Sequence, residues 1–495
     1  MAKPLRLVMR QTTILLYGDA MKVIQTNLSE EYALREIINA YFPKSKIEYV
    51  SQKGDDDYVA VEYMSVSGKH GFACEAYIAG QVCKSQYEAN EYSKNAVKKV
   101  VSDALKAATG IHLPWGLLTG IRPSKIIREL KDSEHGGDEM YLAREYEADE
   151  SKSRLAFEVA KNEARYINAK YNDGISLYVG IPFCPSRCLY CSFTSQSIAF
   201  SNKLTVPFVE ALKKEMREIA KTSYVKSKRI ETVYFGGGTP SALTAEQIDD
   251  VLGTLFDAFD LRWAKEITFE AGRPDTMSKE KLDVLRKYGI TRICINPQTA
   301  NDATLKLIGR NHTVDDFVRA YKLARQCGFT HINCDIIAGL PGETEADFAR
   351  TLSTLRELSP ESITVHTMSI KHGSYLDMNY DMYALATANS VNNMLEMAYA
   401  TLKGMGKVPY YMYRQKNMLG NLENTGYCDI GHECLYNIYI MEEVQSIIAL
   451  GGGGSTKLVK GDVIERVFNV KEVAEYIKRI DEMIDRKKRL FEEFE

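Results

Sequence analysis

Tyr178-Val179-Gly180-Ile181-Pro182-Phe183-Cys184-Pro185-Ser186-Arg187-Cys188-Leu189-Tyr190-Cys191 sets three cysteines at a C-x3-C-x2-C spacing. The run before them, Ser176 to Ile181, is short and mostly apolar. It reads as a buried strand, with the cysteines in the loop that follows. Three thiolates this close can wrap one compact metal centre, and soft thiolates favour iron–sulfur clusters or zinc. Structural zinc takes four ligands. No further Cys or His lies between residues 135 and 290, so a local zinc site is incomplete. A four-iron cluster held by three cysteines leaves one iron open to a ligand. Zinc with a distant fourth ligand and three plain loop thiols are the alternatives.

The same strand rhythm continues beyond the loop. Ile230 to Phe235, Glu266 to Glu270, Thr291 to Ile295, His331 to Ile337 and Ser362 to His366 are further short apolar runs. Helical patterns separate them at Val206 to Ala220, Ala245 to Ala258, Lys279 to Tyr288, Val314 to Cys327 and Glu345 to Leu358. Six strand–helix units predict an α/β fold, a partial parallel (β/α)6 barrel over residues 173–368. A parallel barrel carries its chemistry at the C-terminal ends of its strands.

Residues 1–110 read as an N-terminal α+β domain. Strands are expected at Leu5 to Gln11, Lys46 to Val50, Tyr58 to Met64 and Gly71 to Ile78, with helices at Ser29 to Ala40 and Ser85 to Ala108. Ser29 is the expected N-cap of the first helix. Residues 111–172 read as a helical connector. Residues 369–495 read as a C-terminal α/β extension covering the substrate. It ends in a charged helix from Val470 whose charges are expected to face solvent.

The chain has 495 residues, 45% of them hydrophobic, and a formal net charge of −3. Nothing in that balance pulls it toward nucleic acid or membrane. No signal peptide or membrane span is expected. The clustered cysteines suit a cytoplasmic protein with metal or redox chemistry better than a disulfide framework.

Other residues gather at predicted strand ends. Phe235-Gly236-Gly237-Gly238-Thr239-Pro240 closes the second strand, and its glycines permit close backbone approach and exposed amides. Glu270 ends the third strand, Gln298 follows the fourth, and Arg310 lies in the next loop. Asp335 sits in the fifth strand before Gly339-Leu340-Pro341-Gly342. A strand-end carboxylate suits ribose hydroxyls, and an arginine suits a carboxylate.

The cysteine spacing, with Tyr190 as the aromatic of C-x3-C-x-aromatic-C, resembles the radical S-adenosylmethionine (SAM) superfamily. That resemblance implies a [4Fe–4S] cluster on Cys184, Cys188 and Cys191, and reductive cleavage of SAM to a 5′-deoxyadenosyl radical. Ile181-Pro182-Phe183-Cys184, Gly236 to Pro240, Gln298, Arg310 and Asp335 with Gly339 to Gly342 resemble the oxygen-independent coproporphyrinogen III oxidase family. Pro114-Trp115-Gly116, Thr119 to Pro123, Tyr413 to Asn417 and Asn421 to Asn424 resemble its HemZ-like subgroup. By that resemblance Tyr178, Gly237, Gly238, Thr239, Glu270, Gln298, Arg310 and Asp335 bind SAM, with Ser369 a further backbone contact.

The implied reaction is decarboxylation of coproporphyrinogen III propionates to vinyl groups, giving protoporphyrinogen IX. The implied partners are a tetrapyrrole and a low-potential electron donor such as flavodoxin or ferredoxin. Arg187, Lys371, His372, Arg414 and Lys416 are candidate propionate partners, and Tyr410, Tyr411 and Tyr413 candidate contacts for a flat ring. Two departures bear on the substrate. Phe193 stands where the best-known members carry a fourth cysteine, and Gly180 where they carry His. Related groups without that cysteine include a haem chaperone and haem-degrading methyltransferases, so both remain open as alternatives.

Overall fold

The computed structural model describes residues 20–494, apart from 44, 67, 121, 131–136, 168–172, 193–195 and 416–417. The expected strand Leu5 to Gln11 lies outside these residues, as do Phe193 and Lys416.

The first sheet has the order β2-β1-β3-β4-β5. Its strands are β1 (Ala20–Thr26), β2 (Lys46–Tyr49), β3 (Tyr58–Val66), β4 (Lys69–Ile78) and β5 (Gln81–Ala89). Helices Glu31–Tyr41 and Lys94–Thr109 cover one face and share a core with it. Two expectations are corrected here. The stretch 85–108 is not one helix: Gln81–Ala89 pairs with β4 in a hairpin, and the helix starts only after the Ser93 cap. Ala79 and Gly80 both take positive φ, the geometry of a tight hairpin turn, and that turn sends the chain back as a strand. Ser29 is not the cap of the first helix. Glu30 holds that place, and its own N–H is taken by Gln25 Oε1 at 3.1 Å.

The second sheet has eleven strands. In chain order they are β6 (Gly174–Ile181), then, past the short pair β7 (Phe183–Cys184) and β8 (Gln196–Ser197), β9 (Arg229–Gly237), β10 (Glu266–Gly272), β11 (Arg292–Ile295), β12 (Ile332–Ala338), β13 (Ser362–Thr367), β14 (Val408–Tyr413), β15 (Asn424–Cys428), β16 (Ser446–Gly451), β17 (Ser455–Lys460) and β18 (Val463–Phe468). The order is β14-β15-β13-β12-β11-β10-β9-β6-β16-β17-β18. From β6 to β13 every pairing is parallel. These are the six strands expected from the apolar runs, buried on both faces as parallel strands are.

Between the strands run helices with explicit start signals. Thr244, Thr313 and Thr344 each form a capping box with the residue three positions on. In helix Ala245–Ala258, Ile248, Val251, Leu252 and Leu255 make one buried stripe against the sheet. Burying each such side chain contributes about 1.5–3 kcal/mol.

The C-terminal part is more regular than its sequence suggests. β16 lies parallel to β6, with Ile448 opposite Leu177 and Gly451 opposite Gly180. A Cβ on Gly451 would lie 2.1 Å from Gly180 O, so only glycine fits there. The terminal segment is two helices, Val473–Lys478 and Ile480–Phe494, and its charges do not all face solvent. Lys487 is fully buried and bonds Glu215 Oε1 at 2.5 Å, while Glu215 Oε2 accepts from Gly451 N–H at 2.7 Å. This pair ties the last helix to the glycine run beside β6.

Residues 111–172 contain helices Pro123–Leu130, Tyr141–Tyr146 and Glu150–Glu163. Their seam with the C-terminal part joins two stretches singled out in the sequence. Trp115 Nε1 donates to Glu423 Oε2 at 2.7 Å, and buried Lys152 reaches Glu423 Oε1 at 2.8 Å. Arg414 lies over the Trp115 ring and donates to the carbonyls of Leu118, Gly120 and Asn421.

Candidate active site

The cysteine loop leaves the C-terminal end of β6 and is pinned at several points. Leu189 N–H donates to Ile308 O and Leu376 N–H to Leu189 O, each at 3.0 Å. Ser186 Oγ donates to Gly309 O at 2.6 Å. Cys184, Cys188 and Cys191 are all half-buried, and none of them is in a disulfide. Two sulfurs already accept hydrogen bonds, Cys184 Sγ from Thr239 Oγ1 at 3.4 Å and Cys188 Sγ from Arg273 Nη1 at 3.6 Å.

Among the described residues, no three His, Cys, Asp or Glu side chains converge as a ready site for one metal ion. A single ion needs its ligands on one point, whereas a four-iron cube takes thiolates at separate corners. Three thiols on one half-exposed loop, two of them already accepting hydrogen bonds at sulfur, fit the cube.

The glycine stretch after β9 packs directly on this loop. Gly238 N–H donates to Ile181 O at 2.8 Å and Thr239 N–H to Phe183 O at 2.7 Å. Those two amides are therefore spent within the protein, contrary to the expectation of exposed donors. A Cβ on Gly238 would lie 2.5 Å from Phe183 O, and Gly237 takes φ +103°. Glycine is needed here for close approach of the two loops.

The other predicted residues line adjacent strand ends. Tyr178, Tyr234 and Tyr436 stack together in the lumen, with ring centroids 4.6 Å apart for Tyr234–Tyr436 and 6.1 Å for Tyr178–Tyr436. Tyr234 donates its hydroxyl to Glu270. Burial first, then the Asp335 charge, pushes the Glu270 carboxyl up to about 7, against the bond from Tyr234. Asp335 behaves oppositely. Burial opposes its charge, but His366 and Asn333 hold its carboxyl below the usual value. Asn333 Nδ2 bonds Asp335 Oδ1 at 2.7 Å, and His366 Nε2 stands 3.7 Å from Oδ2.

Gln298 takes φ +67°, a left-handed conformation, and its backbone bridges Asp335 O and Ile337 N. Arg310 donates from Nη1 to Asn296 O at 2.7 Å and from Nη2 to Tyr190 Oη at 3.4 Å. Gln298 Oε1 and Arg310 Nε are both buried without a partner. A buried unpaired polar atom costs about 1–3 kcal/mol, which a bound polar ligand would recover. Ser369 is placed farther along, bridged to Met418.

The cation expectations divide. Arg187 is exposed and donates to Gly373 O, and the His372 side chain is fully exposed. Arg414 is buried in the seam described above, where low polarity depresses it to about 10. It serves backbone carbonyls and is not available to a substrate. Tyr410 and Tyr411 are buried in the cluster around β14, not presented as a surface. Cys428 and Cys434 are buried too, and the Cys434 thiol donates to Glu266.

Sequence reasoning missed Arg273 and the stacking partners of Tyr178. The signal for Arg273 was its place directly after β10, in Gly272-Arg273-Pro274.

Residues 178–355 match the Radical SAM superfamily, whose members work with a [4Fe–4S] cluster and SAM. The chain is 38% identical over 484 residues to the oxygen-independent coproporphyrinogen-III oxidase-like protein HemZ of Bacillus subtilis (strain 168), covering 93% of this chain and 95% of that one. It is 34% identical over 201 residues to the heme chaperone HemW of the same organism, 40% of this chain and 51% of that one. Among solved structures, coproporphyrinogen III oxidase (HemN) from Escherichia coli superposes with a TM-score of 0.53 at 23% identity, covering 65% of this chain and 72% of that chain. That likeness shows a shared fold. Among the described residues, no helix is long and apolar enough to cross a membrane. The chain belongs to the radical SAM superfamily and, by an end-to-end similarity to HemZ, to its oxygen-independent coproporphyrinogen-III oxidase-like group.

Proposed function

We propose that this protein is a radical SAM oxidoreductase that decarboxylates the propionates of coproporphyrinogen III to vinyl groups, giving protoporphyrinogen IX. The observation that carries this reading is the similarity to the HemZ oxidase-like protein, which runs through the N-terminal and C-terminal parts as well as the barrel.

Cys184, Cys188 and Cys191 would hold the cluster, and SAM would lie over the strand ends. The bound pair supplies a 5′-deoxyadenosyl radical. The chain's own residues bind and orient. Asp335, held charged, would take the ribose hydroxyls, and Arg310 the methionine carboxylate. Gln298 would offer its unpartnered oxygen. Tyr178 and Glu270 would border the site from the lumen. Gly237, Gly238 and Thr239 would border it by close approach, without the two amides already used. Each propionate loses one hydrogen atom, one further electron and carbon dioxide, so the reading requires an electron acceptor as well as a low-potential donor such as flavodoxin or ferredoxin.

The test is anaerobic mass spectrometry of the reconstituted, reduced protein with SAM and coproporphyrinogen III. Deoxyadenosine with products lighter by one and two formic-acid equivalents supports the decarboxylase. Deoxyadenosine with an unchanged porphyrinogen overturns this substrate.

A second reading, a haem-binding chaperone, draws on the HemW similarity and on the loss of Arg414 as a propionate partner. Stoichiometric haem binding without deoxyadenosine would favour it.

A further inference from the structure

Arg273 is a buried guanidinium that touches the cysteine loop and has no role so far. It is 3% exposed. Nε and Nη2 grip the Asp275 carboxylate at 3.0 and 3.1 Å. Nη2 also donates to Ser186 Oγ at 3.0 Å, and Nη1 to Cys188 Sγ at 3.6 Å. Ser186 passes the connection on to Gly309 O. One side chain thus joins the end of β10, the cysteine loop and the turn before Arg310.

The pair also has a direction. Asp275 is bonded through Nε and Nη2, and the remaining nitrogen, Nη1, faces Cys188. The positive end therefore points at the sulfur. His312, whose ring is fully buried 3.9 Å from Asp275, adds no competing charge near neutral pH. Burial first, then Arg310 and Arg273, holds it down to about 4.

We propose that Arg273 is a positioning residue for the iron–sulfur cluster, which fixes the cysteine loop through Ser186 and Cys188 and raises the cluster's reduction potential. The proposal rests on the reading of Cys188 as a cluster ligand. When the cluster accepts one electron from a one-electron donor, its net charge falls by one. A fixed positive charge beside one of its thiolates favours that more negative state, and hydrogen bonds to cluster sulfurs act in the same direction. Lysine carries the charge but not the planar fork, so it cannot hold Asp275, Ser186 and Cys188 together.

The experiment uses the full chain, reconstituted anaerobically, with iron and sulfide analysis and an EPR-monitored titration against dithionite. Arg273→Met is expected to shift the midpoint to more negative potential and to lower iron content. Arg273→Lys is expected to restore much of the potential while iron content stays low. Asp275→Asn, which removes the opposing charge, is expected to shift the midpoint to more positive potential, and it remains informative if Arg273→Met holds no cluster. Midpoints unchanged in Arg273→Met, or in Asp275→Asn, would overturn the proposal. Cys188→Ala serves as the control. Loss of the four-iron centre there keeps the ligand reading intact whatever Arg273 does, and a full centre there defeats the ligand reading itself.

Discussion

Cysteines occupy two contrasting settings in this barrel. Cys184, Cys188 and Cys191 sit half-exposed on the loop above the strands. Cys294, Cys334, Cys428 and Cys434 sit buried in its wall and floor. Burial pushes the thiols of the second group far up, so they stay protonated and behave as small apolar side chains. The loop sulfurs are reachable and met by donors from Thr239 and Arg273. The same residue type is a reachable, hydrogen-bonded sulfur or a buried filler according to what surrounds it.

The sharpest way to break that contrast is substitution by alanine. Cys184→Ala, Cys188→Ala or Cys191→Ala is expected to abolish the four-iron centre in iron analysis and EPR, whereas Cys334→Ala is expected to keep it. Gly238→Ala attacks the loop from the glycine side. Its Cβ would press on Phe183 O, so we expect a loss of about 1–3 kcal/mol in denaturant unfolding, with poorer iron retention.

Asp335→Ala separates cofactor binding from iron. SAM affinity, measured anaerobically by calorimetry, is expected to fall about tenfold or more, with iron content unchanged.

Glu270→Gln tests the lumen beneath the loop. A carboxyl raised from 4.5 to about 7 stabilises the fold fully below its unfolded value and loses that contribution as pH rises through about 7. The melting temperature of wild-type apoprotein, minus that of Glu270→Gln, is therefore expected to fall between pH 5 and pH 8. A flat difference would show that Glu270 titrates normally. The smallest effect expected is that of Cys334→Ala on stability, about 1 kcal/mol.

The parallel core was legible because each of its strands is an apolar run bounded by turn residues, and the capped helices announce their starts. Helices Ala245–Ala258 and Glu345–Leu358 fall where the periodicity puts them. The hairpin β4–β5 was not legible. β5 is an edge strand rich in polar residues, and no Gly or Pro separates it from the Lys- and Ala-rich helix that follows, so the two periods blur. Arg273 was hidden for another reason. An arginine before proline reads as a surface turn, and only the tertiary fold buries it against Ser186 and Cys188. Arg414 misled in the opposite direction. A cation among tyrosines suggests a ligand, but here it satisfies carbonyls from two distant segments.

The pairing of β16 with β6 sets a schedule for synthesis. Ile175 is partnered by Ser446, so the strand that leads to the cysteines leaves the ribosome long before its outer neighbour exists. At about 5–20 residues per second, that edge waits on the order of tens of seconds. During the interval its open N–H and C=O groups invite pairing with another nascent chain. Shortening the chain before Ser446 would make that interval permanent, and the product would be expected in the insoluble fraction rather than as a smaller barrel.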